Sequence, residues 1–123
     1  MPPHIATVLV VEDEALIAFD LEEELTELGY RVVGPAFNVS QGLRHAETGH
    51  FDVALLDINL SSGTSAPIAE VLRERKIPFA FLTGYGLAAR DHGLPEAPVI
   101  TKPLRSGELK VLLESLRGTD IAT

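Results

Sequence analysis

The chain has 123 residues, 46% of them hydrophobic, which is enough apolar material for a single domain with one core. Eighteen acidic residues against ten basic ones give a formal net charge of −8, which disfavours nucleic-acid binding and favours cationic or metal partners. The absence of cysteine excludes disulfides, thiolate catalysis and cysteine-based metal centres.

Apolar runs of strand length alternate with amphipathic segments of helix length, which is the pattern of a parallel sheet covered by helices on both faces. The first strand is predicted at Val8 to Val11, whose continuous apolarity is typical of a strand buried on both sides. The first helix should run from about Ala15 to Leu28, with Gly29 as its C-terminal cap. A run of acidic residues in this helix is interpreted as its solvated face.

The second strand is predicted from Tyr30 to Gly34, where the Gly34-Pro35 pair should stop it. Asn38 and Gln41 then resemble a capping box that opens the second helix, which should end near residue 49. The later elements are predicted in chain order as a third strand at 52–56, a loop at 61–65 leading into a third helix, a fourth strand at 79–82, a short fourth helix within 87–92, a fifth strand at 98–100 and a last helix at 105–117.

Polar residues follow four of these strands, and ligands of open α/β sheets bind outside the carboxyl ends of the strands. The side chains in question are Glu12 and Asp13, Asp57, Thr83 and Lys102. Three converging carboxylates repel one another unless a cation neutralises them, and hard oxygen ligands favour Mg²⁺. A lysine and a hydroxyl at the same edge are what a phosphoryl group needs.

Four segments resemble the signature segments of response-regulator receiver domains: residues 8–14, residues 55–60, Phe81-Leu82-Thr83-Gly84 and Thr101-Lys102-Pro103. The resemblance covers nearly the whole chain. It implies a flavodoxin-like (βα)5 fold, doubly wound, with five parallel strands in the order 2-1-3-4-5. The Phe-x-Thr-Gly segment further resembles one subgroup of single-domain receivers.

By this resemblance Asp57 is the phosphoacceptor, and Thr83 and Lys102 are the hydroxyl and lysine that bind the phosphoryl group. The expected metal ligands are Glu12, Asp13, Asp57 and the backbone carbonyl of Asn59. The bond between Lys102 and Pro103 is expected to be cis. The implied reaction is in-line transfer from a phosphohistidine to the Asp57 carboxylate with Mg²⁺, followed by slow autodephosphorylation.

A conformational switch is predicted at Thr83, Gly84, Tyr85 and Val99. Most receivers carry an aromatic residue at the position of Val99, and a β-branched aliphatic side chain is too small and stiff to act as the usual rotamer switch. Glycines 84 and 86 raise the entropic cost of ordering the segment that follows Thr83. We therefore expect phosphorylation to order residues 84–94.

The expected partners are a sensor histidine kinase and a separate downstream effector or phosphotransfer protein, because residues 1–123 are interpreted as a receiver domain without an output domain. No membrane or nucleic-acid partner is expected, and the lack of a signal-like N-terminus predicts a cytoplasmic location. Two alternatives are a small phosphotransferase with an aspartyl-phosphate intermediate and a receiver fold that only docks partners. The first lacks residues for a substrate domain, and the five matching side chains argue against the second.

Overall fold

The computed structural model describes residues 6–83, 97–102 and 106–121. Its elements are β1 (Thr7–Val11), α1 (Ala15–Glu27), β2 (Arg31–Ala36), α2 (Val39–Thr48), β3 (Val53–Asp57), β4 (Asn59–Leu60), β5 (Gly63–Thr64), α3 (Ala66–Glu74), β6 (Phe79–Thr83), β7 (Val99–Thr101) and α4 (Ser106–Ile121). The short helix predicted within 87–92 lies outside the described residues.

The main sheet has five strands in the order β2-β1-β3-β6-β7, and every neighbouring pair is parallel. This confirms the flavodoxin-like fold and the predicted 2-1-3-4-5 order, because β6 and β7 are the fourth and fifth strands of this sheet. Strands β3 and β6 are buried along their whole length. Their continuous apolar sequences arise because helices cover both faces.

Alternate residues of each strand enter two separate cores. On one face, Leu9, Val11 and Leu56 pack with residues of α3 such as Ile68 and Leu72. On the other face, the core contains the neighbouring strand residues together with leucines of α1 and α4, namely Val8, Val10, Leu55, Leu21, Leu25, Leu109, Leu112 and Leu113. These leucines therefore form the inward faces of α1 and α4.

The predicted end of the second strand was wrong. β2 continues through Gly34 and Pro35 to Ala36, and the peptide bond between Gly34 and Pro35 is cis. The strand tolerates a proline because β2 lies at the edge of the sheet and its pairing with β1 is irregular at this point. The last helix also differs from the prediction, since it continues past Arg117 to Ile121.

The segment predicted as a loop before the third helix contains a small antiparallel hairpin. Asn59 pairs with Thr64 and Leu60 with Gly63, which leaves Ser61 and Ser62 as the two connecting residues. Strands of two residues are too short to produce an alternating sequence pattern, so periodicity could not reveal them. The hairpin lies directly after Asp57.

The cap predicted for the second helix is confirmed. The Asn38 side chain accepts a hydrogen bond from the Gln41 backbone N–H at 2.8 Å, and the Gln41 side chain accepts one from the Phe37 N–H at 2.8 Å. The second bond therefore reaches one residue further back than in a standard capping box. Among the described residues, no helix combines the length and apolarity needed to cross a membrane.

Candidate functional site

The sheet brings five of the predicted side chains to one edge. Glu12 and Asp13 follow β1, Asp57 is the last residue of β3, Thr83 is the last residue of β6, and Lys102 follows β7. These four strands are consecutive neighbours in the sheet. The carboxyl ends of parallel strands share an edge, so residues far apart in sequence become neighbours there.

Glu12, Asp13 and Asp57 form an acidic cluster in which one carboxylate oxygen of each residue lies within 4.8 Å of the others. Glu12 is completely buried, Asp57 is 7% exposed and Asp13 is partly exposed. Buried carboxylates are rare unless they are paired with a cation. The cluster therefore requires positive charge in its immediate surroundings.

Lys102 supplies part of this charge. Its Nζ donates a hydrogen bond to Glu12 Oε2 at 2.9 Å and lies 3.4 Å from Asp57 Oδ2. Its backbone N–H donates to the Thr83 carbonyl at 2.7 Å, which fixes the start of the lysine side chain relative to β6. The ammonium group therefore bridges the two buried carboxylates. Its single positive charge stands against the three negative charges of Glu12, Asp13 and Asp57.

The electrostatic consequence is visible at Asp57. Burial is the largest cause that raises the pKa of Asp57, the charge of Glu12 raises it further, and Lys102 lowers it, so that it lies at about 7 instead of 3.8. At Lys102, burial acts to lower the pKa, but the hydrogen bond to Glu12 and the charges of Asp57 and Glu12 outweigh it and raise the pKa above 10.5. The crowding of negative charge therefore disfavours the ionised form of Asp57.

Backbone groups hold the other two carboxylates in place. Glu12 Oε1 accepts a hydrogen bond from the Glu14 N–H at 3.2 Å, and the Glu12 N–H itself donates to the Ala36 carbonyl at 2.9 Å. Asp13 Oδ2 accepts from the Ser61 N–H at 2.9 Å, which ties the cluster to the hairpin. Ser61 and Ala36 were not predicted as site residues, because they act through backbone groups that any residue carries.

The remaining predicted site residues have different positions. Thr83 is buried at the end of β6, and the backbone hydrogen bond described above brings it close to Lys102 in space. Asn59 is the first residue of β4, and its side chain is exposed. Val99 of β7 pairs with Phe81 of β6 and is 37% exposed. Gly84, Tyr85 and the bond between Lys102 and Pro103 lie outside the described residues, so these predictions stay open.

The residues of the acidic cluster fit a hard divalent cation. They provide three carboxylates and no nitrogen or sulfur donor, which is the ligand chemistry that Mg²⁺ prefers. The raised pKa of Asp57 follows from the same burial and from the charge of Glu12, and a bound cation would counteract both. With such a cation bound, Asp57 would be ionised. Its carboxylate could then act as an oxygen nucleophile toward an electrophile such as phosphorus, with Lys102 beside it.

Comparison with known proteins gives one consistent family. The profile described as "Response regulator receiver domain" matches residues 8–114. The chain is 31% identical over 110 residues to the phyllosphere-induced regulator PhyR of Methylorubrum extorquens, covering 86% of this chain and 41% of PhyR. It is also 31% identical over 111 residues to the transcriptional regulatory protein PdtaR of Mycobacterium tuberculosis, covering 87% of this chain and 54% of PdtaR. It thus spans about half the length of these relatives.

Among solved structures, a similar one is the receiver domain of the sensor histidine kinase PA1611 from Pseudomonas aeruginosa, which has a magnesium ion coordinated in its active-site cleft. The TM-score is 0.81 at 26% sequence identity, and the match covers 94% of this chain and 99% of the other.

Proposed function

This chain belongs to the response regulator receiver domain family, and from that premise we propose that Asp57 accepts a phosphoryl group from a sensor histidine kinase. Receiver domains are signalling domains of two-component systems, not metabolic enzymes. The observation that carries the assignment is the position of Asp57 at the carboxyl edge of the sheet, 3.4 Å from Lys102 and within the acidic cluster.

The proposed reaction is an in-line displacement at phosphorus. An Asp57 carboxylate oxygen attacks the phosphorus of a phosphohistidine, the P–N bond breaks, and its electron pair returns to the imidazole nitrogen. In this proposal Lys102 neutralises charge on a phosphoryl oxygen, and the Thr83 hydroxyl donates a hydrogen bond to another. The protein therefore contributes mainly position and charge.

Magnesium is the proposed cofactor, held by Glu12, Asp13, Asp57 and the backbone carbonyl of Asn59. When bound, Mg²⁺ would supply positive charge that neutralises the phosphoryl group during transfer. The acidic cluster and the bound magnesium in the PA1611 receiver domain support this proposal. Slow autodephosphorylation then resets the domain: water attacks the phosphorus, the bond to the Asp57 oxygen breaks, and inorganic phosphate leaves the free carboxylate behind.

Phosphorylation is proposed to change the affinity for a downstream effector or phosphotransfer protein. The switch predicted at Thr83, Gly84, Tyr85 and Val99, with ordering of residues 84–94, remains a prediction. Hydrogen exchange over that segment, with and without beryllofluoride and Mg²⁺, measures it directly. Equal protection in both states would contradict an order–disorder switch.

The assignment of Asp57 is tested by intact-mass analysis after incubation with acetyl phosphate and Mg²⁺. Wild type should gain one phosphoryl group, and Asp57→Asn should gain none because its amide is not a nucleophile. Asp52→Asn is the matched control, since Asp52 lies at the opposite end of the same strand, and it should be labelled as wild type is. Labelling of Asp57→Asn at the wild-type level would refute the assignment.

A further inference from the structure

The ladder between β1 and β2 changes register just before it reaches the acidic cluster. Leu9 pairs with Val33, but Val11 pairs with Ala36, so β2 advances three residues while β1 advances two. A regular ladder would place Pro35 opposite Val11. The extra residue is a β-bulge over Gly34 and Pro35, a feature that re-aims the chain near functional sites in many sheets.

Gly34 is the residue that permits this bulge. Its φ is +91°, a conformation that residues with a Cβ rarely adopt. A Cβ at this position would lie 2.8 Å from the Ala36 backbone nitrogen and 3.1 Å from the Val10 carbonyl oxygen. Both neighbours are backbone atoms, so neither can move without shifting a strand.

The bulge determines which carbonyl faces Glu12. In the observed register the Ala36 carbonyl accepts the Glu12 N–H at 2.9 Å, at the point where β1 ends. Glu12 is completely buried, and its carboxylate accepts the hydrogen bond from Lys102 Nζ at 2.9 Å. Glu12 thus makes both contacts: its backbone N–H donates a hydrogen bond to β2, and its side chain accepts one from Lys102.

We propose that Gly34 is a positioning residue for the acidic cluster. The bulge that it permits sets the backbone of Glu12, and Glu12 in turn holds Lys102 beside Asp57. In this role Gly34 acts through the Ala36 carbonyl, which accepts the Glu12 N–H. This inference deepens the proposed function. Its test by Mg²⁺ binding rests on that function, whereas its test by hydrogen exchange of the Glu12 amide does not.

Gly34→Ala and Gly29→Ala form a matched pair. Gly29 has a φ of +94°, nearly the same as Gly34, but a Cβ there would meet nothing within 4 Å. Both substitutions carry the cost of a positive φ, and only Gly34→Ala also pushes on Ala36 and Val10. The difference between the two variants therefore isolates the displacement of the bulge from the general loss of stability.

The first measurement is hydrogen exchange of the Glu12 amide in the metal-free protein. In Gly34→Ala this amide should exchange about threefold to tenfold faster relative to the Arg31 amide, which donates to the Ala6 carbonyl at the other end of the same strand pair. In Gly29→Ala the ratio should stay at the wild-type value. Equal ratios in both variants would overturn the proposal.

The second measurement is the Mg²⁺ dissociation constant by calorimetric titration. Gly34→Ala should bind about threefold to tenfold more weakly than Gly29→Ala, which should match wild type. The same affinity in both folded variants would overturn the proposal. If wild type itself does not bind Mg²⁺, the proposed function fails, and the Glu12 amide alone decides the positioning role.

Gly34→Asn is the second variant in case Gly34→Ala does not fold, because asparagine adopts a positive φ more readily than alanine. A Cβ at this position still meets the Ala36 nitrogen and the Val10 carbonyl oxygen, so the bulge is displaced at a lower backbone cost. The Glu12 amide should again exchange faster relative to the Arg31 amide, and Mg²⁺ affinity should fall in the same direction. Wild-type values for both would refute the proposal.

Discussion

The two ends of strand β3 carry one aspartate each, and their surroundings are opposite. Asp52, just before the strand, exchanges two hydrogen bonds with Thr7: its N–H donates to the Thr7 carbonyl and its carboxylate accepts the Thr7 N–H, both at 2.8 Å. Asp57, the last residue of the strand, lies among carboxylates, and its pKa is raised to about 7. The carboxylate of Asp52 is held by one backbone donor, and that of Asp57 lies in an excess of negative charge.

The two ends of β3 therefore differ in role: the end at Asp52 is structural, and the end at Asp57 belongs to the acidic cluster. Asp52 lies just before β3 and joins it to β1 through its two hydrogen bonds with Thr7. At Asp57 the ionised form is disfavoured until further positive charge arrives, which is the condition for coupling the site to a cation or a phosphoryl group. Strand β3 thus connects a hydrogen-bonded aspartate at one end to a candidate cation site at the other.

The largest expected effect comes from removing the Lys102 ammonium group beside Glu12 and Asp57. Lys102→Met leaves the buried Glu12 without its ion-pair partner, and the metal-free protein should lose about 3–5 kcal/mol of unfolding free energy. Lys110→Met, at an exposed position of α4, is the control and should change little. Urea denaturation measures both, and a loss below about 1 kcal/mol for Lys102→Met would show that Glu12 does not depend on the lysine.

A smaller effect compares the two aspartates directly. Asp52→Ala removes the acceptor of the Thr7 N–H and should cost about 1–3 kcal/mol. Asp57→Ala removes a carboxylate that burial and Glu12 disfavour, so the metal-free stability should stay level or rise. Equal losses in urea denaturation would abolish the proposed distinction between the two ends of β3.

The smallest expected effect is the pH dependence at Asp57. Its pKa in the folded protein, about 7, lies above the ordinary value of 3.8, so its contribution to stability is greatest at low pH and is lost as the pH rises through 7. Between pH 6 and pH 8 the metal-free protein should lose about 1 kcal/mol relative to Asp57→Asn. Parallel urea denaturation curves of the two proteins at both pH values measure this difference, and a constant difference would contradict the raised pKa.

The fold was predictable from the sequence because its strands and helices are strongly patterned. The buried runs of β1 and β3 and the leucine stripe of α4 each indicate both an element and its inward face. The position of the charged residues was predictable for the same reason, since a residue that ends a parallel strand must lie at the carboxyl edge. That rule needs no knowledge of side-chain contacts.

The pairing within the site was not predictable. Glu12 and Lys102 are separated by 90 positions in the chain, and only the folded sheet shows that the lysine lies closer to Glu12 than to Asp57. The Gly34-Pro35 pair was misread because the same dipeptide ends a central strand and forms a bulge in an edge strand. Whether a strand lies at the edge depends on the topology, which local sequence does not encode.

The bulge in β2 has a further consequence for the behaviour of the protein at high concentration. β2 is an edge strand, and the free ladder of such a strand can pair with the same strand of another molecule and start aggregation. Pro35 carries no N–H group, and the change of register bends the chain, so the row of donors and acceptors is interrupted. The irregularity beside Glu12 therefore also protects the outer border of the sheet against self-association.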